Sequence, residues 1–451
     1  MAGNIYYDEE IITPSTDRLD GKPTLGSFFN KDGLLMRTFG WLVRNAVGVI
    51  VLVHGLNSHA RLTFLRHNVE IVDNSKAILK DENNYYVYKN SWIEHFNNNG
   101  YSVYALDLQG HGLSDGWKNL SLNINNFDDL VLDVIQFLNI INDELCLKDK
   151  ENDSKATWYN VEGCAALSDG DSEGNSDDCS KNVGGNNDPE SDNEPKRDSD
   201  PSSDNVPQSD NEPSSDSDPQ SDNEPSSDSD PKSDNEPSSD KEPQSDNEPK
   251  IGQSMGGNIV LRTLQLLEKT QNDGKGKLNI QGCISLSSMI SFQKIASPRS
   301  YKYKYFYLPF SRLISGFFPT SRVVTKMGFQ KYPYLNDLAN FDKIRSKNGI
   351  TVKYWYELLK ATSNLESDME FIPKDIPILL IHSKDDIFCY YKGALSFFNR
   401  LNNDNKELIT LENMEHGLTA EPGNEKVLEN IVDWIENLHT KKEMAQPLEA
   451  T

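Results

Sequence analysis

Three residues spread along this chain have the types and order needed for covalent acyl transfer. Ser254 stands in Gly252-Gln253-Ser254-Met255-Gly256. A serine hydroxyl is presented best on a tight strand-to-helix turn whose backbone passes its neighbours too closely for side chains at the flanking positions, and the two glycines fall there. Such a serine needs a base to take its proton and a carboxylate to orient that base. Of the eight histidines, His416 lies in Asn413-Met414-Glu415-His416-Gly417, after a strand-like run and before the last helix-like one. Asp386, in Ser383-Lys384-Asp385-Asp386, follows an apolar strand and stands between serine and histidine in chain order. Asp385 is adjacent, and pattern alone leaves both acids open. Charge developing on a substrate oxygen also needs N–H donors. The N–H of Met255, at the start of the helix after the turn, is one candidate. The N–H of Leu56, in His54-Gly55-Leu56-Asn57-Ser58-His59, is the other.

The elements that must position these residues alternate in type. Gly48 to Val53 (GVIVLV), Tyr101 to Asp107, Leu278 to Leu286, Ile376 to Ile381 and Glu407 to Leu411 read as strands, the apolar runs among them as buried parallel ones. Asn90 to Asn98, Phe127 to Leu145, Asn258 to Glu268, Tyr390 to Leu401 and Glu425 to Leu438 carry apolar residues at helical spacing. Alternation of this kind predicts an α/β fold with a mostly parallel sheet flanked by helices on both faces. The interval from Phe292 to Phe371 is too long for a loop and has its own aromatic clusters, so it reads as a helical cap.

Charge is concentrated in one place. Residues 151–250 hold 29 acidic and 7 basic side chains, a net of −22 in a chain of −25, so the remaining 351 residues are nearly neutral. A neutral foldable part excludes nucleic acid as the expected partner, because phosphate binding needs a basic face. Within the acidic segment a 12-residue repeat starts at Ser209 and restarts at Ser221, Ser233 and Ser245. It has almost no apolar side chains, so burial cannot offset an ordering entropy of roughly 1–2 kcal/mol per residue, and it reads as a disordered insertion. Each of those four serines stands three residues before a glutamate, the pattern of an acid-directed kinase site. The five cysteines (Cys146, Cys164, Cys179, Cys283, Cys389) form no C-x-x-C pair, so neither a disulfide framework nor a zinc site is expected. The N-terminus lacks the basic and apolar regions of a signal peptide, and no run of about 18 apolar residues occurs. A cytoplasmic or peripherally membrane-associated protein is the expectation.

With these motifs in view, the chain resembles the monoacylglycerol lipase and lysophospholipase branch of the α/β-hydrolases, especially the lysophospholipase-like set expanded in malaria parasites. VLVHGLNSHARL from Val51, ALDLQGHGLSDG from Ala105, GQSMGGNIVLR from Gly252, LLIHSKDDIFCYYKGA from Leu379 and EHGLTAEPGNEKVLENIVDWI from Glu415 carry the likeness. The resemblance implies an α/β-hydrolase fold, a lipid ester substrate, no cofactor and an acid six residues before the lysine of Lys-Gly-Ala. That lysine is Lys392, so the resemblance favours Asp386. It supports Leu56 and Met255 as oxyanion donors and makes Gly110-His111-Gly112 a structural turn. It further implies a mobile cap. There Tyr301 to Phe310 with Ile314, Phe317 and Phe318 form either a lipid-facing surface with lysines near anionic headgroups or the cap's own core.

The expected organisation is hydrolase domain over 1–147, acidic insertion over 148–250, nucleophile turn and following strand over 251–291, cap over 292–371, hydrolase domain over 372–440, and a tail over 441–451. One stretch departs from the pattern. The strand leading into Gly252 should be a buried central one, yet it reads Asn247-Glu248-Pro249-Lys250-Ile251, and proline lacks the donor such a strand uses. Either this polar tail is pressed into the sheet or the strand is missing. The expected function is hydrolysis of a lysophospholipid or monoacylglycerol acyl ester through an acyl-enzyme. The alternative is a catalytically impaired hydrolase-fold protein that binds or scaffolds through its acidic repeat.

Overall fold

A computed structural model describes residues 18–159, 248–270, 278–292, 297–323 and 328–445. The acidic repeat with its four candidate kinase sites lies outside these residues, as does the chain beyond 445. Two units divide the chain, 1–156 with 243–451 and 157–242.

Up to the insertion the elements are β1 (Thr24–Phe29), β2 (Leu35–Trp41), β3 (Gly48–Val53), α1 (Ala60–Phe64), β4 (Arg66–His67), β5 (Val69–Asp73), β6 (Lys76–Leu79), β7 (Tyr86–Val87), α2 (Trp92–Asn98), β8 (Tyr101–Leu106) and α3 (Phe127–Tyr159). After it come β9 (Glu248–Gln253), α4 (Met255–Thr270), β10 (Ile280–Leu286), α5 (Leu308–Phe317), β11 (Arg322–Val323), α6 (Tyr334–Phe341), β12 (Ile350–Thr351) and α7 (Val352–Ser367). The chain closes with β13 (Ile378–Ser383), α8 (Tyr391–Arg400), β14 (Lys406–Leu411) and α9 (Asn424–Ala445). Eight strands form one sheet in the order β1-β2-β8-β3-β9-β10-β13-β14. The six from β8 to β14 are parallel, and β2 joins β8 antiparallel with β1 at the edge. The predicted α/β architecture is therefore present. β1 and β2, an antiparallel pair at the sheet edge, add to the strands that the apolar runs predict, because neither is a continuous apolar run.

Alternation along the strands distributes the core between two faces. In β3, Val49, Val51 and Val53 face a cluster with α3 and α4 (Leu130, Val134, Ile259, Val260), whereas Ile50 and Leu52 face α2 and α9 (Trp92, Phe96, Ile431, Ile435). In β13, Ile378 and Leu380 join the first cluster, and Leu379 and Ile381 the second. Because both faces are covered, these strands read as continuous apolar runs rather than alternating ones.

The doubtful strand before the serine exists and is central. β9 pairs with β10 along its length but with β3 only over Lys250–Gly252 against Val51–Val53. A register shift between Ile280 and Gly282 falls where Glu248 gives way to Pro249. The ladder is thus irregular at the residue that cannot donate to it. Ile251 is fully buried and anchors the strand in the second cluster, while Lys250 lies buried beside it.

Candidate active site

Ser254 connects β9 to α4 with a φ of 56°, a left-handed conformation that a non-glycine residue adopts only when its surroundings impose it. The surroundings are backbone. The Ser254 N–H donates to Leu286 O at 2.8 Å, and the Met289 N–H donates to Ser254 O at 2.9 Å, so the end of β10 fixes the turn. A β-carbon on Gly252 would lie 2.2 Å from Gly256 O, and one on Gly256 would lie 2.2 Å from Val53 O. Both glycines of the motif are therefore required by contact, as the sequence argument supposed.

His416 and Asp386 complete the group. His416 Nε2 stands 2.8 Å from Ser254 Oγ, and its Nδ1 stands 2.8 Å from Asp386 Oδ2. An ionised carboxylate only accepts, so Nδ1 carries the hydrogen and Nε2 is left to take a proton from the serine. The other carboxylate oxygen of Asp386 accepts the N–H groups of Phe388 and Cys389, both at 2.8 Å. Burial alone would raise the Asp386 carboxyl, but the adjoining His416 and His382 rings outweigh it and hold the group well below the usual carboxylate range. For His416 burial works downward, and the Asp386 charge and hydrogen bond overcome it, so the imidazole is more basic than an ordinary one. Asp385 points elsewhere: its Oδ2 accepts the Asn413 N–H at 2.9 Å and ties the histidine loop to β13. Geometry thus separates the two acids that pattern left open.

The loop carrying Leu56 is set by His54. His54 Nε2 accepts the Leu108 N–H at 2.9 Å and Nδ1 donates to Gly55 O at 2.8 Å, an arrangement of the neutral ring, in keeping with a pKa that burial holds well below the usual imidazole value. A β-carbon on Gly55 would lie 3.2 Å from Ser254 Cβ, so this loop runs against the serine. Met255 is the first residue of α4, where backbone N–H groups have no partner inside the helix. Met255 thus follows Ser254 directly, and Leu56 follows the glycine that packs against it. Gly110-His111-Gly112 packs beneath this loop: the His111 ring lies 5.3 Å from that of His54, and both glycines have positive φ. Farther along, His59 Nε2 and the Tyr86 hydroxyl both bond Asp342 Oδ2 at 2.9 Å, and Arg345 Nε donates to Asn57 O at 2.8 Å. The segment after α6 thereby holds the Leu56 loop.

Several neighbours were not legible in the sequence. Glu421, fully buried, accepts the N–H groups of Glu415, His416 and Gly417 at 2.5, 2.9 and 2.6 Å. Glu415 accepts the N–H groups of Gln330 and Lys331, which precede α6. The Phe388 ring packs against His416 with centroids 5.1 Å apart. His416-x4-Glu421 is the only trace of this in sequence, and the spacing belongs to no regular element. Cys389, Asp386 and His416 also place donor atoms within 4.8 Å of one another. Asp386 and His416 are already engaged with each other and with Ser254, so these residues fit the proton-transfer group better than a resident metal.

Comparison with known proteins shows a family and a fold. The Hydrolase_4 profile, described as serine aminopeptidase, S33, matches residues 83–147 and 241–423, more than half of the chain. Those spans contain Ser254, Asp386 and His416. A sequence search of curated proteins finds no match. Among solved structures, a soluble variant of monoglyceride lipase from Saccharomyces cerevisiae superposes with a TM-score of 0.53 at 14% identity, over 95% of this chain and 99% of that one. Monoacylglycerol lipase from Paleococcus ferrophilus gives 0.49 at 14% identity, over 90% and 99%. The first likeness is one of fold. With the family profile spanning its serine, acid and histidine, the chain belongs to the Hydrolase_4 (serine aminopeptidase, S33) family and is a serine hydrolase of the α/β-hydrolase fold.

Proposed function

We propose that this protein hydrolyses the acyl ester of a monoacylglycerol or lysophospholipid, with Ser254 as nucleophile, His416 as general base, Asp386 as its orienting acid, and the Leu56 and Met255 N–H groups as oxyanion donors. The observation that carries the reading is the unbroken chain Ser254 Oγ, His416, Asp386, with 2.8 Å at each link. Ser254 Oγ loses its proton to His416 Nε2 as it attacks the ester carbonyl. The oxyanion collapses, the alcohol leaves with that proton, and water activated by the same histidine releases the fatty acid.

Two features support a lipid rather than the aminoacyl amide that the family's description names. Tyr301, Tyr305, Phe306, Phe310, Leu313, Phe317 and Phe318 are exposed on or beside α5, and no acidic residue occurs between Phe292 and Asn336, which includes eight lysines and arginines. Tyr303 alone of that aromatic run is fully buried, bonded to Thr362. A groove of about 600 Å3 lies along the same surface, lined by Leu308, Leu313 and Phe317 with Arg312 and Tyr356. An apolar ridge set among cations suits an anionic lipid surface. Second, the carboxylates beside His416 (Asp386, Glu415, Glu421) are each engaged with N–H donors, which leaves none of these three to hold a substrate ammonium.

The test pairs a probe with substrates. A fluorophosphonate is expected to label wild type and not Ser254→Ala, with turnover of monoacylglycerol or lysophospholipid and none of an aminoacyl anilide. A folded wild type that is neither labelled nor active would favour a binding or scaffolding protein instead. Labelling with turnover of the anilide alone would overturn the substrate class.

A further inference from the structure

The histidine loop leaves β14 at Asn413 with a φ of 65° and must deliver one imidazole to two partners at 2.8 Å each. Its backbone has no sheet or helix to hold it over Glu415–Gly417. Its three consecutive N–H groups all converge on one carboxylate. Glu421 receives three consecutive N–H groups, is completely buried, and forms no ion pair with a lysine or arginine among the described residues. A buried anion without a cation is costly, and backbone amides that point at it offset part of that cost. We propose that Glu421 is a positioning residue for this hydrolase, whose anionic side chain fixes the His416 loop and favours the imidazolium that forms when His416 takes the Ser254 proton. The proposal rests on the serine-hydrolase reading given above.

Charge as well as shape matters here. A glutamine has one acceptor oxygen and a donor NH2, so it would present hydrogens to at least one of three N–H groups that need an acceptor. The groups that face His416 are Ser254, Asp386 and Cys389 from the neighbouring loops and Glu421 from its own. Those that face Glu421 are His416, Glu415 and Tyr334 of α6. Glu421 and Asp386 both favour the charged imidazole. Glu415 opposes the ionisation of Glu421, yet it is itself tied to the Gln330 and Lys331 amides, so a second carboxylate extends the same clasp to the chain ahead of α6.

The experiment compares wild type, Glu421→Gln and Glu421→Asp in full-length protein. Hydrolysis of a soluble p-nitrophenyl ester is followed from pH 5 to 9, thermal melts are recorded, and His416 is titrated by NMR with histidine-selective 13C labelling. Glu421→Gln is expected to lose about 10- to 100-fold in kcat with KM within about twofold, as for a misplacement of about 1 Å. Its acid limb and its His416 titration should both move to lower pH. Glu421→Asp keeps the charge, so it should lose rate while the limb stays near that of wild type. A folded Gln variant with unchanged kcat and unchanged His416 titration overturns the proposal. Should the Gln variant not fold, the Asp variant decides, since a kcat within twofold of wild type would equally overturn it. The NMR titration separates this outcome from failure of the hydrolase reading, because it does not depend on turnover.

Discussion

At Ser254 the useful fact is that its hydroxyl, the imidazole of His416 and the carboxylate of Asp386 form a single line of proton donors and acceptors. Asp386→Asn would present an NH2 or a neutral oxygen to His416 and let the wrong tautomer form, so a loss of about 10^3- to 10^4-fold in kcat is expected. Asp385→Asn removes only a bond to the Asn413 amide and should stay within about tenfold of wild type. Measuring the two side by side checks the assignment that pattern left open. The pH profile carries an independent sign. His416 must be neutral to act, and its pKa is raised by Asp386 against the effect of burial. The half-maximum of kcat/KM on the acid side should therefore lie above about 6.5, and in Asp386→Asn it should fall below the wild-type position. A wild-type limb at or below the ordinary imidazole value would contradict the electrostatics described here.

Among the elements, β9 is the strand on which the site depends. Its polar sequence hid it, because a central strand is recognised by apolar residues and this one supplies only Ile251. Neighbours compensate: Val51–Val53 and Cys283–Leu286 hold it from both sides. Ile251→Ala should cost about 2–4 kcal/mol in denaturant unfolding, and the same variant should lose more fluorophosphonate labelling than its stability alone accounts for, since Gly252 and Ser254 follow it directly. A second element carries a stored penalty. In α3 the Asp133 carboxyl is buried, bonded only through Oδ1 to Asn30, and pushed up to about 7 by burial. Its folded pKa exceeds the unfolded one, so native protein binds more protons and loses stability as pH rises from about 4 to about 7. Asp133→Asn should therefore stabilise by about 1–3 kcal/mol at pH 8 and by little at pH 4, as read from melts at the two pH values.

Across the molecule, the eight strands described in the sheet lie within residues 24–106 and 248–411. Replacing residues 160–242 by a short Gly/Ser linker should leave both the melting profile of the sheet unit and the labelling of Ser254 in place. Loss of labelling in a folded variant would assign the insertion a direct part in the site. No helix among the described residues is long and apolar enough to cross a membrane. The chain between β10 and β13 also reaches both the His416 loop and the Leu56 loop, through Glu415 with Gln330 and Lys331, and through Asp342 and Arg345 with His59 and Asn57.

The sequence by itself determined the alternation of strands and helices, the glycine turn around Ser254, and the order of serine, acid and histidine, because these depend on local periodicity and on backbone contacts written as Gly-x-Ser-x-Gly. It put Leu56 in the loop after β3 and Met255 at the start of α4 for the same reason. Tertiary structure alone decided the rest. Only packing between β3 and β10 turns Glu248–Gln253 into a strand, the direction of two adjacent side chains gives His416 to Asp386, which residue pattern left level with Asp385 and resemblance alone favoured, and only the folding of the loop after β14 over its own glutamate brings Glu421 to three amides of the His416 loop. Each of those depends on partners distant in sequence or on an irregular turn, for which no residue spacing is diagnostic.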